Sequence, residues 1–393
     1  MDFSYICSEC QRSYPPDPGC MLCPECARDQ KADQPLSGIL EVVRPAPEKP
    51  DADIFDFLPI ERAFFPPLPV GNTPLWRPER LRQRYGFSRL YLKDDRSNPT
   101  SSFKDRASYL VSAFARKYGL RDIVLASTGN AASSMAGVAA AAGQQVSIFL
   151  PETVPLAKLV QALQYGARVF KVAGNYDLAF DFSLEYSRRK GGLNRNTAYN
   201  PMTIEGKKTV SLELFKQLNA APDVVFVPTG DGCILSGVYK GFRDLLAAGF
   251  IDGMPLVYAV QAEHSAAIAK AYATGRFERV PTETLADSIS VDVPKSGLHA
   301  LKHLKTYKGR VVTVSDEQII EAQAELSAWS GLFAEPAAAA AFAGFCAVRT
   351  ELDADARIVL LMTGNGLKDI DGALKGIRVP ETSIRSVDEV LYA

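Results

Sequence analysis

From residue 89 to residue 362 short β-branched runs alternate with amphipathic segments, several of which end at a glycine, and few folds accept that rhythm. The runs at 90–93, 123–125, 146–150, 169–172, 224–227, 257–260, 311–314 and 358–362 read as strands. Between them, 103–118 before Gly119 and 131–142 before Gly143 read as helices, as do 177–189, 205–218, 235–246 and 317–329. Strand and helix taking turns is the signature of parallel sheets covered on both faces, so the chain is expected to be an α/β protein.

The 393 residues, 47% hydrophobic and 23% charged, are enough for two to three domains, each with its own core. Composition marks the boundaries. Residues 1–38 are rich in Cys and Pro and poor in hydrophobic periodicity, so a bound ligand is expected to fold them. Residues 39–88 form a connecting arm, with nine prolines between Pro45 and Pro78. Two αβ halves follow, at 89–210 and 211–378, and 379–393 is left as a tail. There is no internal repeat.

Charge excludes some classes of function. The 44 Lys and Arg against 45 Asp and Glu give a net charge of −1, which supplies no field for nucleic acid or anionic lipid. No apolar run approaches the roughly 20 residues of a membrane span. The first residues lack the basic and apolar regions of a secretory signal, so a cytoplasmic protein is expected. In that reducing setting, five of the seven cysteines falling between Cys7 and Cys26 suggest a metal site. Cys7 and Cys10, then Cys23 and Cys26, have the paired spacing of a zinc ribbon, with twelve residues between the pairs. Cys20 and Cys23 form an equally well spaced pair, so Cys20 is an alternative ligand, and a cluster of reduced thiols without metal is the plainer reading. His299 and His303 lie four apart but show no third ligand. Cys346 reads as a core residue. No nucleotide-binding glycine motif occurs.

Parallel sheets bind ligands beyond the carboxyl ends of their strands, which directs attention to four loops. The first, 93–106, ends with Lys104 near a helix start behind Ser and Thr caps. The second is Ser127, Thr128, Gly129, Asn130 and Ala131. The third is Thr229, Gly230, Asp231, Gly232 and Cys233, and the fourth begins at Thr363. Glycine, serine and threonine there let backbone amides and hydroxyls approach an anion closely.

In order, these loops resemble those of the fold type II pyridoxal-phosphate enzymes, and among them the threonine synthases. The resemblance rests on Asn-Pro-Thr-Ser-Ser-Phe-Lys-Asp-Arg at 98–106, Ser-Thr-Gly-Asn-Ala at 127–131, the glycine loop at 229–233, Phe-Ala-Glu-Pro-Ala at 333–337 and Thr-Gly-Asn-Gly-Leu-Lys-Asp at 363–369. It covers roughly residues 71–369. It implies two αβα halves, the first small and bearing the cofactor lysine, the second larger and bearing the cofactor-phosphate loop. Pyridoxal 5'-phosphate, an amino-acid substrate and a homodimer are implied too. Lys104 resembles the lysine that binds the cofactor covalently and moves protons at the substrate α-carbon. Asn130 resembles the ligand of the ring oxygen, and Thr363 that of the pyridine nitrogen. Residues 229–233 resemble the cofactor-phosphate cradle, with Asp231 expected to turn aside and cap the helix behind it. Ser127, Thr128, Gly129 and Ala131 resemble the grip on the substrate carboxylate. Glu335 lies near the cofactor or simply starts a helix.

The reaction implied is threonine synthesis from O-phospho-L-homoserine and water. The alternative is β-elimination or β-replacement on a phosphoserine-, serine- or threonine-like amino acid. The resemblance weakens at three places. Relatives carry His-Glu-Gly-Met or similar where this chain has Asp94-Asp95-Arg96-Ser97, and an arginine where it has Ser290, which leaves Arg96, Arg106 and Lys295 as candidate partners for a substrate phosphate. They have a glycine where this chain has Ser101.

Overall fold

The computed structural model describes residues 2–31, 33–154, 156–279, 281–380 and 383–391, so part of the 379–393 tail lies outside the described residues. Two parallel sheets organise it. The larger has the order Arg310–Val314, Leu256–Ala262, Val224–Pro228, Ile358–Met362, Leu90–Asp94 and Leu75–Trp76, all parallel except the last strand. The smaller has the order Arg168–Val172, Gln145–Pro151, Asp122–Ala126 and Leu193–Asn194, parallel throughout. Val224–Pro228 and Ile358–Met362, central in the larger sheet, are buried along their whole length. Helices cover both of their faces, so each is a continuous apolar run and not an alternating one.

The strand Leu90–Asp94 pairs with Ile358–Met362 and therefore belongs to the larger sheet, not to the small half in which the sequence boundaries put it. The helix that follows, Lys104–Lys117, packs against both Pro201–Lys207 and Asn130–Ala142 and so joins the two sheets. The helix expected over 205–218 is two helices, Pro201–Lys207 and Thr209–Leu218, meeting at Lys208. Gly206 makes the close approach possible, because a Cβ there would stand 2.3 Å from the carbonyl oxygen of Arg106.

The amino-terminal segment has more structure than its cysteines alone predict. Ser4–Cys7 pairs antiparallel with Ser13–Tyr14 on one side and with Leu40–Val43 on the other, so the sheet runs past the boundary at 38. Tyr5, Cys7, Cys23 and Val42 are buried in the same cluster as Leu110 and Phe114 of the helix Lys104–Lys117. The segment shares the core of the body.

Candidate active site

A cavity of about 370 Å³ opens between the sheets, beyond the carboxyl ends of their strands. Three of the four loops meet in it. Its walls include Lys104, residues 126–131, residues 228–232 and residues 287–293 with Lys295. Lys104 is the first residue of the helix Lys104–Lys117 and is half-buried. The expected side-chain cap is absent: Phe103 stands at the cap position, and Asp105 instead accepts from the backbone N–H of Thr100 at 2.8 Å. Burial, and then Lys207, hold the Lys104 amine below its ordinary range. Either effect favours the uncharged amine that a nucleophile or base requires.

Arg106 plays no part in this. Its guanidinium is buried outside the cavity, with Nε 2.6 Å from Asp95 and Nη1 2.5 Å from Glu213. Lys93 completes the group, 2.6 Å from the same Glu213 carboxylate. Arg106 is thus fully neutralised, and the expectation that it meets the substrate gives way to a structural one.

The second loop is held by Ser127, whose Oγ accepts from the backbone N–H of Gly129 and of Ala132 at 3.3 and 3.1 Å. Asn130 begins the helix Asn130–Ala142, and its Nδ2 donates to both Glu335 oxygens, at 3.1 and 2.9 Å. Glu335 stands at the cap position before Pro336 but makes no cap; its carboxylate meets Asn130 instead. Burial raises the pKa of this carboxyl, with the Asn130 hydrogen bond acting against it.

In the third loop Gly232 stands at the cap position of the helix Cys233–Ala247 without a side-chain cap, while Asp231, which lines the cavity, accepts from the backbone N–H of Cys233 at 2.9 Å. Burial disfavours its charge, yet Lys207 and Lys104 prevail and hold the carboxyl below its usual range. The charged acid in this glycine loop is thereby balanced by Lys207, a cation that sequence reading missed. The cradle admits no side chain. A Cβ at Gly230 would stand 2.8 Å from Ile289 Cα, and Gly232 has a φ of +84°. Cys233 is buried behind the loop, its Sγ near Thr203 Oγ1 at 3.7 Å. Glycine amides at a helix start, a half-buried lysine of lowered pKa and a loop closed to Cβ atoms fit a phosphorylated aldehyde cofactor well.

The fourth loop is stitched to the first. The Thr363 carbonyl accepts from Phe103 N–H at 2.8 Å, and Asn365 N–H donates to Ser101 at 3.1 Å. Thr363 is buried there, beside rather than in the described cavity wall. Ser101 has a φ of +67°, in the left-handed region that favours glycine. Lys295 does line the cavity, with its Nζ 3.8 Å from Asp177 and 5.4 Å from the Phe180 ring centre. Ser290 lines it as well, its Oγ bonded to Thr282 at 3.1 Å. Tyr176, Asp177, Arg195 and Arg279 complete that side, and none stood in a motif that would have flagged it.

Two further clusters lie near the amino terminus. The sulfurs of Cys7, Cys10, Cys23 and Cys26 all lie within 4.8 Å of one another. Cys7 to Cys26 is 3.8 Å and Cys10 to Cys23 is 3.7 Å, close to the edge of about 3.8 Å that a tetrahedron of 2.3 Å zinc–sulfur bonds requires. Cys20 stands apart, its sulfur facing the carbonyl of Leu22. His299 and His303 find the partner the sequence did not reveal: His299 Nε2 is 2.7 Å from Glu41 and 3.1 Å from His303 Nε2. Arg243 lies 2.6 Å from the same Glu41 oxygen, so the group reads as a polar joint between the amino-terminal sheet and the body.

This architecture and cavity define a fold type II pyridoxal-phosphate enzyme, and residues 67–364 match the family described as pyridoxal-phosphate dependent enzymes. The processed form of threonine deaminase isoform 2 from Solanum lycopersicum shares the fold, with a TM-score of 0.68 at 21% identity over 84% of this chain and 95% of that one. Sequence relatives narrow the class. Threonine synthase of Methanocaldococcus jannaschii is 37% identical over 317 residues, covering 79% of this chain and 78% of its own. Threonine synthase of Methanosarcina acetivorans is 34% identical over 350 residues, covering 86% and 84%. The chain belongs to the threonine synthase family of pyridoxal-phosphate dependent carbon–oxygen lyases.

Proposed function

We propose that this enzyme converts O-phospho-L-homoserine and water into L-threonine and phosphate. The observation that carries the reading is the convergence of Lys104, the Ser127–Ala131 loop and the Thr229–Gly232 loop on one cavity, in a chain 37% identical to a threonine synthase. The cofactor, when bound, supplies the electron sink that makes the substrate α-carbon acidic. The protein supplies position and protons. Lys104 holds the cofactor covalently and then moves protons at the substrate α-carbon, a task its lowered pKa suits. Residues 229–233 hold the cofactor phosphate, Asn130 the ring oxygen and Thr363 the pyridine nitrogen. A neutral hydroxyl at that nitrogen need not keep it protonated, which tempers the electron sink. Ser127, Thr128, Gly129 and Ala131 hold the substrate carboxylate. Lys295 serves the distal end of the substrate, with part of its charge already shared with Asp177.

Zinc held by Cys7, Cys10, Cys23 and Cys26 belongs to the same reading, supported by sulfur spacings of tetrahedral size. Four thiolates close such a site, so its role is structural. A homodimer and a cytoplasmic setting complete it, the second supported by a thiol cluster suited to a reducing compartment.

Ser290 favours one competitor, β-elimination or β-replacement on an unphosphorylated serine- or threonine-like amino acid, because it brings no charge to the distal end of the cavity. Steady-state assays of the purified holoenzyme on phosphohomoserine, phosphoserine, serine and threonine separate the two. Threonine synthesis predicts the highest kcat/KM for phosphohomoserine. A higher value for serine or threonine assigns the enzyme to deamination.

A further inference from the structure

Arg195 follows the strand Leu193–Asn194, is 1% exposed and forms part of the cavity wall. Its Nη2 donates to Ser108 Oγ at 3.3 Å, while its Nε has no hydrogen-bond partner. Among the described residues no carboxylate stands within ion-pair distance of it, in contrast to the equally buried Arg106 with Asp95 and Glu213. A guanidinium stays charged and offers five donors. The charges of Asp231 and Asp105 reach it only at longer range and no ion pair offsets its burial, so this arrangement calls for an anionic ligand.

Two phosphates could answer, and the structure favours one. The cofactor-phosphate loop extends from Val224–Pro228 of the larger sheet and has its own glycine amides, with Lys207 as a nearby cation. Arg195 belongs to the smaller sheet. Its N–H donates to the Val124 carbonyl at 2.7 Å, and Asn196 Oδ1 accepts from Ala126 N–H at 2.7 Å. It is therefore fixed beside Asp122–Ala126, the strand whose following loop we assign to the substrate carboxylate. One rigid unit would then hold both ends of a single substrate. The other cations on that side already face acids: Lys295 is 3.8 Å from Asp177, and Arg279 is 3.6 Å from Asp177 and 3.9 Å from Asp292.

We propose that Arg195 binds the distal phosphate of an O-phosphorylated amino-acid substrate, in the role for which the chain has no arginine at Ser290. The inference rests on the threonine synthase reading above. Arg195 thereby selects phosphorylated over unphosphorylated substrates.

The test is steady-state kinetics of the holoenzyme and its Arg195→Gln and Arg195→Lys variants with phosphohomoserine, with inorganic phosphate as inhibitor. Arg195→Gln is expected to raise KM about ten- to a hundredfold, the worth of a charge-assisted contact, and to lower kcat less. The inhibition constant for phosphate should rise in parallel, the cofactor dissociation constant should not move, and Arg195→Lys should recover part of the loss. Unchanged KM and phosphate inhibition overturn the proposal. So does weakened cofactor binding with unchanged KM, which gives Arg195 to the cofactor phosphate. Should Arg195→Gln not fold, Arg195→Lys decides: a raised KM and a raised phosphate inhibition constant with unchanged cofactor binding are expected, and values equal to wild type overturn the proposal. A wild type that makes no threonine from phosphohomoserine refutes the underlying reading. Threonine synthesis with unaffected variants refutes Arg195 alone.

Discussion

Glu213 and Arg106 meet through two hydrogen bonds, Oε1 to Nη1 at 2.5 Å and Oε2 to Nη2 at 2.8 Å, in the buried core at the start of the helix Lys104–Lys117. Burial opposes the charge of Glu213, but Arg106 and Lys93 prevail and hold its pKa at about 2. The ordinary value is about 4.3, so the stabilisation is complete above that pH and is lost as pH falls towards about 2.

Glu213→Gln should therefore cost on the order of 3 kcal/mol at pH 7, since it leaves Arg106 and Lys93 short of a countercharge. Thermal unfolding of wild type and variant from pH 7 to pH 3 checks this. The gap in melting temperature should be wide at neutral pH and narrow below about pH 4.3. A gap that stays constant across the range would show that Glu213 is not held as the structure indicates.

Lys104→Ala should abolish both turnover and the visible absorbance of lysine-bound cofactor. The measurement is the absorbance spectrum of the variant with added pyridoxal phosphate, before and after borohydride reduction and peptide mapping. Stoichiometric reductive attachment of cofactor at another lysine would contradict the assignment.

Changing Cys7 and Cys10 together to Ser should release about one zinc per chain. Elemental analysis reports the metal and visible absorbance the cofactor. Tyr5, Cys7 and Val42 share a core with Leu110 and Phe114, so the melting temperature should fall as well. Cys20→Ser should leave the zinc in place. Metal-free wild-type protein after chelator-free purification would count against the site.

Lys295→Ala should raise KM for phosphohomoserine severalfold with a smaller effect on kcat. Its loss should be milder than that of Arg195→Gln, because Asp177 already shares the Lys295 charge. Kinetics indistinguishable from wild type would remove Lys295 from the substrate site.

Much of this molecule was legible in the sequence where residues act as neighbours along the chain. The strings around Lys104, Ser127, Thr229 and Thr363 mark loops that follow strands of the two sheets, and in the second and third a helix starts within a few residues of the strand end. The hydrogen bond of Asp231 to the helix start was within reach of the sequence, its partner Cys233 being two residues away. What escaped depends on contacts distant in sequence. Arg106 looks like a site residue beside Lys104 until Glu213, 107 positions later, is seen to neutralise it. Arg195 carries no local signal, since the strand before it is only two residues long and its lack of a close ion pair is set by the fold. Lys207, inside a helix, gives no hint that it balances Asp231. Glu41, in a stretch read as connector, gave no sign that it would meet His299 across 258 positions. The choice of Cys23 over Cys20 is made by the fold of the turn, because their spacings are equally good.

The most direct test of the account is conversion of O-phospho-L-homoserine in water enriched in oxygen-18. A lyase that breaks the carbon–oxygen bond and then adds water at the β-carbon must place one labelled oxygen in the threonine hydroxyl and release unlabelled phosphate. Equimolar threonine and phosphate with that labelling is the result expected. Homoserine with labelled phosphate, the product of hydrolysis at phosphorus, or a substrate left unconverted while serine or threonine is deaminated, would contradict it.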